Sequence, residues 1–287
     1  MSSRQNARRA RGWSWRWLVH IITIAMSIAW FVPILGLFIS SVRTQADTAD
    51  SGWWTAILSP YFTSKNYRMA FDQIGVFDSL ATSLAIAIPT TILTTTISVI
   101  GAFALTRMRF VGRAALSLLL VALLVTPPQI TLVPLLRLYA AVGLSGTIPG
   151  IWLYQVGFTV PYGIFLIRGF IGGIPRELFE SAAVDGAGTL RVFSSIVIPL
   201  SLPIMMSLAI MQFLWSWNDL LIPLLFLGGS PMAAPITVEL ASVAASTSQG
   251  QGPLMAATFV SALIPLLIVI SLQRYFVRGV LGGAVKG

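Results

Sequence analysis

Long apolar segments alternate with short charged segments along this chain. Six stretches contain no Asp, Glu, Lys or Arg and are long enough to cross a bilayer, which takes about 20 apolar residues. They are Trp17–Val42, Ser79–Thr106, Ala114–Leu136, Leu138–Ile167, Val192–Asn218 and Leu240–Gln273. A backbone in hydrocarbon must satisfy its own hydrogen bonds, so these stretches are typical of helices rather than of alternating barrel strands. The pattern therefore predicts an all-α, polytopic membrane protein with six transmembrane helices.

Composition and charge support this class and add a topology. Only 9% of the 287 residues are charged and 56% are hydrophobic, whereas soluble domains carry about 25% charged residues. Of the 18 basic residues, fourteen lie before span one, between spans two and three, between spans four and five, or after span six. The positive-inside rule then predicts that both termini are cytoplasmic. The net charge of +9 thus indicates topology rather than nucleic-acid binding.

The same pattern divides the chain into three parts. We expect a basic cytoplasmic N-terminus over residues 1–17, a transmembrane domain over residues 18–276 and a cytoplasmic tail over residues 277–287. Prolines interrupt several spans, and Pro127, Pro128 and Pro134 in span three are expected to break or kink its helix. The longest external loop is predicted between Arg43 and Asp78, with Trp53 and Trp54 at the membrane interface.

The loop between spans four and five has an unusual order of residues. Pro175 suits a first helical turn, and Glu177 and Glu180 then lie where carboxylates favour the positive end of a helix. Gly186 permits a tight turn, and Thr189 can cap a second short helix before the next span. From the residues alone, this segment is either an amphipathic linker on the membrane surface or a docking element for a partner.

The segment resembles the cytoplasmic Glu-Ala-Ala loop of bacterial ABC importer permeases. In that pattern Glu-Ala-Ala is followed by three residues, Gly, nine residues and then Ile-x-Leu-Pro. Glu180, Ala182, Gly186, Ile196 and Pro199 fall in register, while Ser181 replaces the first Ala and Ile198 replaces Leu.

Two further segments resemble the carbohydrate-importer subfamily, in particular the maltose-type second permease. These are Trp217-Asn218-Asp219 in span five and Gly282–Gly287 at the tail. The run Ser51-Gly52-Trp53-Trp54 is similar to α-glucoside-type members.

The resemblance implies the type I ABC importer permease fold and a coupling loop over residues 171–199 that seats in an ATPase subunit. It assigns ATPase coupling to seven residues: Glu180, Ser181, Ala182, Asp185, Gly186, Ile196 and Pro199. It also implies four kinds of partner, namely a second homologous permease, an ATP-binding subunit dimer, an extracytoplasmic solute-binding protein and a sugar substrate. MgATP is then expected on the ATPase partner, and no cofactor on this chain.

A second group of polar residues lies within span five. Gln212, Ser216 and Asp219 are spaced i, i+4 and i+7, so they share one helix face. They either line a sugar pathway together with Trp217 and Asn218, or they cap the helix and bond a neighbouring span. An intramembrane acidic group is costly, so either role needs a cavity or a partner.

The sequence offers few residues for catalysis or ion coupling. The two lysines, Lys65 and Lys286, do not follow a phosphate-binding loop pattern, and no nucleophile or metal cluster stands out in the spans. One alternative is an ion-coupled secondary transporter for a polar solute, with Asp219 as its candidate coupling group. An intramembrane enzyme is a second alternative that lacks a candidate active site.

Overall fold

The structure, a computed structural model, describes residues 2–58, 61–228, 234–246 and 251–284, and in these ranges every regular element is a helix. A 3₁₀ turn, Trp53–Ile57, and a π turn, Phe193–Val197, accompany thirteen α-helices. In chain order these are α1 Ser2–Val42, α2 Gln45–Asp50, α3 Lys65–Asp72, α4 Val76–Arg107, α5 Arg113–Val125, α6 Pro128–Ala141, α7 Ile148–Gly172, α8 Arg176–Val184, α9 Thr189–Val192, α10 Ile198–Asn218, α11 Leu221–Leu227, α12 Ile236–Ala245 and α13 Gln251–Ala284.

Five helical segments of the described chain are long and apolar enough to span a membrane. They are Arg16–Val42, Val76–Arg107, Ile148–Gly172, Thr189–Asn218 and Gln251–Tyr275. The pair α5 and α6 is bent by 103° and makes a sixth span if it is counted as one. The all-α, multi-span class predicted from the sequence is confirmed.

The helices form two compact units, Met1–Gly75 with Val243–Val260, and Val76–Ser242 with Ser261–Gly287. In the first unit, the buried side chain of Asn66 donates to the carbonyl oxygens of Ser41, at 2.9 Å, and Arg43, at 2.7 Å. The hydroxyls of Ser41 and Tyr67 are 2.7 Å apart. These bonds hold α3 against the end of α1.

The second unit is organised by three long helices, of which α4 and α7 are parallel. Near their starts, the indole nitrogen of Trp152 donates to the carbonyl of Ala85 at 2.9 Å. At their ends, Arg107 donates to the carbonyl of Ile171 at 3.0 Å. Because α4 and α7 are parallel, the chain between them must run back from the end of α4 to the start of α7. Residues 108–147, which include α5 and α6, do this. Helix α10 is antiparallel to α7, because Ser216 near its end bonds Gln155 near the start of α7.

Small residues allow these three helices to approach closely, as in membrane bundles generally. A Cβ atom on Gly163 of α7 would lie 2.2 Å from Ser98 Oγ on α4 and 2.8 Å from a methyl carbon of Leu208 on α10. A Cβ atom on Gly101 would lie 2.7 Å from Ile164. Gly163 therefore marks the point where α4, α7 and α10 meet without room for another carbon.

Two apolar clusters fill the opposite ends of this three-helix bundle. The first contains Val99, Ala102, Phe103, Leu105, Ile164, Ile167, Ile171, Val197, Ile204 and Leu208. The second contains Ile86, Leu132, Tyr139, Ile151, Tyr154, Ile222, Phe226 and Leu227. The loop that carries α8 lies at the end of the first cluster, since Phe179 packs against it. The break between α10 and α11 lies at the other end.

Two predicted spans differ from the helices observed. The predicted third span breaks before Pro128, as its prolines indicated, whereas Pro134 is accommodated inside α6. The predicted fourth stretch, Leu138–Ile167, includes the end of α6, and α7 begins at Ile148. Because hydropathy measures only composition, it does not locate the boundary between these helices. The predicted end of span five at Asn218 agrees with the end of α10.

The predicted domain boundaries at residues 17 and 276 do not fall at helix ends, because α1 continues through residue 17 and α13 continues through residue 276. These boundaries remain a prediction. Of the tail segment Gly282–Gly287, residues 285–287 lie outside the described part of the chain.

Candidate functional site

Helix α8 forms the centre of the loop that the sequence singled out. Pro175 occupies its N-cap position rather than its first turn, and Glu177 lies in that turn, where a carboxylate favours the positive end of the helix. None of the α8 residues is buried. Glu180, Ser181, Asp185 and Gly186 are exposed, and Ala182 is half-buried. The predicted contact residues of α8 and its turn are therefore accessible.

The end of α8 is a Schellman motif. Gly186 has φ +70°, a left-handed conformation that costs an L-residue energy because of its Cβ atom. Its N–H donates to the carbonyl of Ala183 at 3.1 Å, and the N–H of Ala187 donates to the carbonyl of Ala182 at 2.9 Å. This pair of bonds satisfies carbonyls that the helix end leaves free. A Cβ atom on Gly186 would meet no atom within 4 Å, so backbone conformation, not crowding, requires glycine here.

The predicted second short helix is instead the beginning of span five. Gly188, not Thr189, is the N-cap of α9, and the predicted capping role of Thr189 is wrong. Helix α9 continues through the π turn Phe193–Val197 into α10, where Pro199 occupies the first turn. The N–H of Ile198 bonds the carbonyl of Phe193, five residues earlier. A proline ring clashes with the carbonyl four residues before it, and the wider π turn provides room for that ring.

Two neighbouring cavities lie against the hairpin that α8 and α9 form. One, of 540 Å³, is lined by Glu180 together with Arg107, Phe179 and Thr189, among others. The other, of 360 Å³, is lined by Ala182, Asp185, Arg191 and Ile196, among others. The structure thus brings Ala182, Asp185 and Ile196 to one cavity, and Glu180 lines the other.

Sequence reasoning missed Arg107, which is the last residue of α4. Its Nη2 atom donates to the carbonyls of Ile171 and Ile174, at 3.0 and 2.9 Å. Its guanidinium carbon lies 3.9 Å from the centre of the Phe179 ring on α8, which is a cation–π distance. The signal available in the sequence was an arginine in the last turn of a helix, but that signal does not reveal the partner.

The second candidate group, in span five, forms a hydrogen-bonded cluster with α7. Ser216 Oγ donates to Gln155 Oε1 at 2.7 Å, and Gln155 Nε2 donates to Asp219 Oδ2 at 3.0 Å. The other carboxylate oxygen of Asp219 accepts from the backbone N–H of Ile222 at 3.2 Å, in the first turn of α11. Asp219 therefore caps α11 and bonds the neighbouring span.

The remaining predicted pathway residues do not share one environment. Gln212 and Trp217 are buried, and Trp217 stacks on Phe213 with ring centres 5.5 Å apart. Asn218 is exposed and donates to the carbonyl of Leu214 at 2.8 Å. The exposed indole of Trp215 lies 5.5 Å from the ring of Tyr162. Of the five residues predicted to line a pathway, only Asn218 is exposed in this subunit.

The fold, the exposed α8 hairpin and the apolar spans define a class of protein, a helical membrane permease. Residues 95–282, more than half of the chain, match the family described as "Binding-protein-dependent transport system inner membrane component". The chain belongs to this family, and it is a multi-pass protein of the bacterial inner membrane. The resemblance stated from the sequence is confirmed.

Particular relatives are similar over nearly the whole chain. The osmoprotective compounds uptake permease protein GgtD of Synechocystis sp. is 42% identical, over 99% of this chain and 97% of its own length. The α-glucoside transport system permease protein AglG of Rhizobium meliloti is 41% identical, over 87% of this chain and 67% of its own. The trehalose transport system permease protein SugB of Mycobacterium tuberculosis is 29% identical, over 98% and 99%.

One solved structure supports the fold. A chain of a bacterial ABC transporter involved in the import of the acidic polysaccharide alginate aligns with a TM-score of 0.69 and 19% identity, over 94% of this chain and 98% of its own. At that identity the likeness concerns the fold alone.

Proposed function

We propose that this chain is a transmembrane subunit of an ATP-driven ABC importer for a sugar or oligosaccharide, and that α8 is the helix through which an ATPase moves it. The observation that carries this proposal is the apolar exposure around Gly186. Val184, just before it, is 89% exposed, and Leu190, just after the turn, is 79% exposed. Exposed apolar side chains that are grouped at a polar turn are typical of a protein–protein contact.

The shape of the loop suits the transmission of force. The Schellman motif fixes the direction in which the chain leaves α8, and the chain then enters a helical segment that continues from Thr189 to Asn218. A displacement of α8 is therefore passed to span five through one short turn. Closure of an ATPase dimer would move α8 and change the accessibility of a central pathway, as in hinge and shear movements generally.

The proposed assembly contains four kinds of partner. We place MgATP on an ATP-binding subunit dimer, which seats Glu180 and its neighbours, and we place half of the pathway on a second homologous permease. An extracytoplasmic binding protein would deliver the solute. A related solved structure is described as an alginate ABC transporter in complex with a periplasmic protein that holds an alginate pentasaccharide, which supports this part of the proposal.

The solute we propose is a neutral sugar or a related polyhydroxy compound. Two relatives are named for α-glucosides and trehalose, and a third for osmoprotective compounds. Asn218 is the candidate sugar contact among the predicted pathway residues, because it is exposed while Gln212, Ser216 and Trp217 are buried. Asp219 acts in this proposal as a structural cap, because both of its carboxylate oxygens accept hydrogen bonds within the subunit.

A pair of proline variants tests the coupling role. Gly186→Pro cannot adopt φ +70° and loses the N–H that bonds Ala183, so the Schellman motif cannot form. Gly188→Pro is the matched control, since the φ of Gly188 is −68° and suits proline. In the complex purified through a tag on this chain, the first variant should lose most substrate-stimulated ATP hydrolysis and uptake, and the second should keep both.

Equal activity of the two variants would contradict the coupling role of α8. The ion-coupled alternative is tested separately, with the tagged chain purified alone and reconstituted in liposomes under a proton or sodium gradient. Solute uptake in these liposomes without ATP or partner subunits would contradict the importer proposal and support the ion-coupled alternative.

A further inference from the structure

We infer that Arg107 is a positioning residue that makes the ends of α4 and α7 move together with α8. This inference rests on the proposed coupling function and adds a mechanical link that the Glu-Ala-Ala pattern does not contain. The link is the single guanidinium group of Arg107 at the end of α4. It contacts the last turn of α7, the segment between α7 and α8, and the centre of α8.

The contact with α7 uses carbonyl groups that a helix end leaves available. The last carbonyls of a helix have no partner within the helix, and an arginine side chain can satisfy them. Nη2 of Arg107 donates to Ile171 in the last turn of α7 and to Ile174 between α7 and α8. Both isoleucines are buried. The guanidinium group therefore fixes the path of the chain from α7 towards α8.

The contact with α8 is made by the face of the same group. The guanidinium carbon lies 3.9 Å from the centre of the Phe179 ring, and the ring also packs against the apolar cluster formed by α4, α7 and α10. Phe179 precedes Glu180, the first residue of the Glu-Ala-Ala pattern. A force on the exposed face of α8 thus acts directly on the residue that Arg107 holds.

Only arginine provides this combination of contacts. Its planar group donates in its plane and stacks on an aromatic ring with its face, whereas the lysine ammonium is a compact point charge on a flexible stem. The Nε atom of Arg107 is also buried and has no acceptor among the described residues. The group is therefore held by two carbonyls and one ring, and the ring is its contact with α8.

The experiment uses the assembled complex, purified through a tag on this chain, with substrate-loaded binding protein added. Two variants test the two sides of the contact, Arg107→Gln and Phe179→Leu, and Phe179→Tyr restores the aromatic face. Arg113→Gln is the charge control, because Arg113 lies in the same predicted cytoplasmic loop. Among the described residues, its side chain bonds the nearby carbonyl of Met108 and no more distant group. The readout is the number of solute molecules imported per ATP hydrolysed.

We expect Phe179→Leu to lower this ratio by roughly fivefold, the factor that corresponds to the loss of one cation–π contact. Arg107→Gln should lower it at least as much, because it also loses the bonds to the carbonyls of Ile171 and Ile174. The double variant should be no worse than Arg107→Gln, which already removes the contact with Phe179. Phe179→Tyr and Arg113→Gln should keep the wild-type ratio.

Two results would overturn the inference. One is an unchanged ratio in Phe179→Leu, which would leave Arg107 as a cap of α7 alone. The other is a fall in the ratio that is equal for Phe179→Leu and Phe179→Tyr. If Arg107→Gln does not assemble, the two Phe179 variants still decide. A wild-type complex without substrate-stimulated ATP hydrolysis would instead contradict the proposed function itself.

Discussion

Gln155 on α7 donates a hydrogen bond of 3.0 Å to the carboxylate of Asp219, which lies at the break between α10 and α11. The two residues are separated by 64 positions in the chain. The amide oxygen of Gln155 accepts from Ser216, and the backbone carbonyl of Asp219 accepts from Thr237 Oγ1 on α12 at 2.9 Å. One acidic residue therefore connects four helices at the end of the bundle opposite α8.

Asparagine should replace Asp219 with little loss of stability, and alanine should not. In Asp219→Asn, the Gln155 amide can reverse, because the hydroxyl of Ser216 can accept as well as donate. Asp219→Ala instead leaves the Gln155 donor and the Ile222 N–H unpaired, at a cost of about 1–3 kcal/mol. Thermal unfolding of the purified complex should show a lower Tm for the alanine variant alone.

The same pair of variants separates structure from transport. If Asp219 is a cap, Asp219→Asn should also keep solute uptake. An asparagine variant that is stable but does not import would show that the negative charge itself is needed, and would favour a place for Asp219 on the solute pathway. Equal destabilisation by asparagine and alanine would contradict the hydrogen-bond argument.

Gly163→Ala should destabilise the bundle of α4, α7 and α10. The added carbon would lie 2.2 Å from Ser98 Oγ, so the helices must separate, and overpacking of this kind costs about 1–3 kcal/mol. Gly157→Ala on the same helix is the control, because a Cβ atom there meets nothing within 4 Å. The comparison is made by thermal unfolding in detergent, where we expect a lower Tm only for Gly163→Ala. Similar melting curves for the two variants would show that α7 is not closely packed at Gly163.

A graded series at Gly186 should follow the cost of the left-handed conformation. Alanine at φ +70° is disfavoured by about 1–2 kcal/mol, whereas asparagine adopts this region more readily. Substrate-stimulated ATP hydrolysis should therefore fall in the order glycine, asparagine, alanine, while Gly188→Ala stays near wild type because the φ of Gly188 is negative. If alanine were as active as glycine, the conformation of the turn would not matter for coupling.

Arg43 should be needed for the order of the predicted external segment that follows α1. Its side chain is buried and donates to the carbonyls of Asp47, Ser51 and Gly52, at 2.8, 3.2 and 2.8 Å. Lysine cannot reproduce these bonds, because its single ammonium lacks the fork of guanidinium donors. Arg43→Lys should speed amide hydrogen exchange in residues 44–58, and Arg68→Lys, at an exposed position, should not. Unchanged protection in Arg43→Lys would show that the segment is held by other contacts.

The sequence predicted the helical class, the approximate spans and the position of the hairpin, because each depends on composition and local order. It did not predict that the segment from Thr189 would continue into α10, since the π turn before Pro199 is a local solution that hydropathy does not register. It ended span five at Asn218, but it did not predict that the chain would break there and continue directly into α11. That break exists because the carboxylate caps α11 and bonds Gln155 on another helix.

For the candidate site, the pattern identified Gly186 correctly as a turn residue, and the left-handed φ gives the reason. The assignment of Glu180, Ala182 and the other hairpin residues to ATPase contact remains a prediction, as does the sugar pathway. Arg107 was outside the prediction because its acceptors, Ile171 and Ile174, are 64 and 67 residues away.

By itself, the sequence determined what each segment is: which stretches cross the membrane, where the exposed hairpin lies and why it must turn at a glycine. These properties follow from hydrophobicity and from backbone sterics within a few residues. Only the tertiary structure decided which segments meet. Three contacts show this: the close approach of three helices at Gly163, the bond between Gln155 and Asp219, and the cation–π contact between Arg107 and Phe179. Each depends on packing between distant parts of the chain, and a linear pattern does not specify which distant residues become partners.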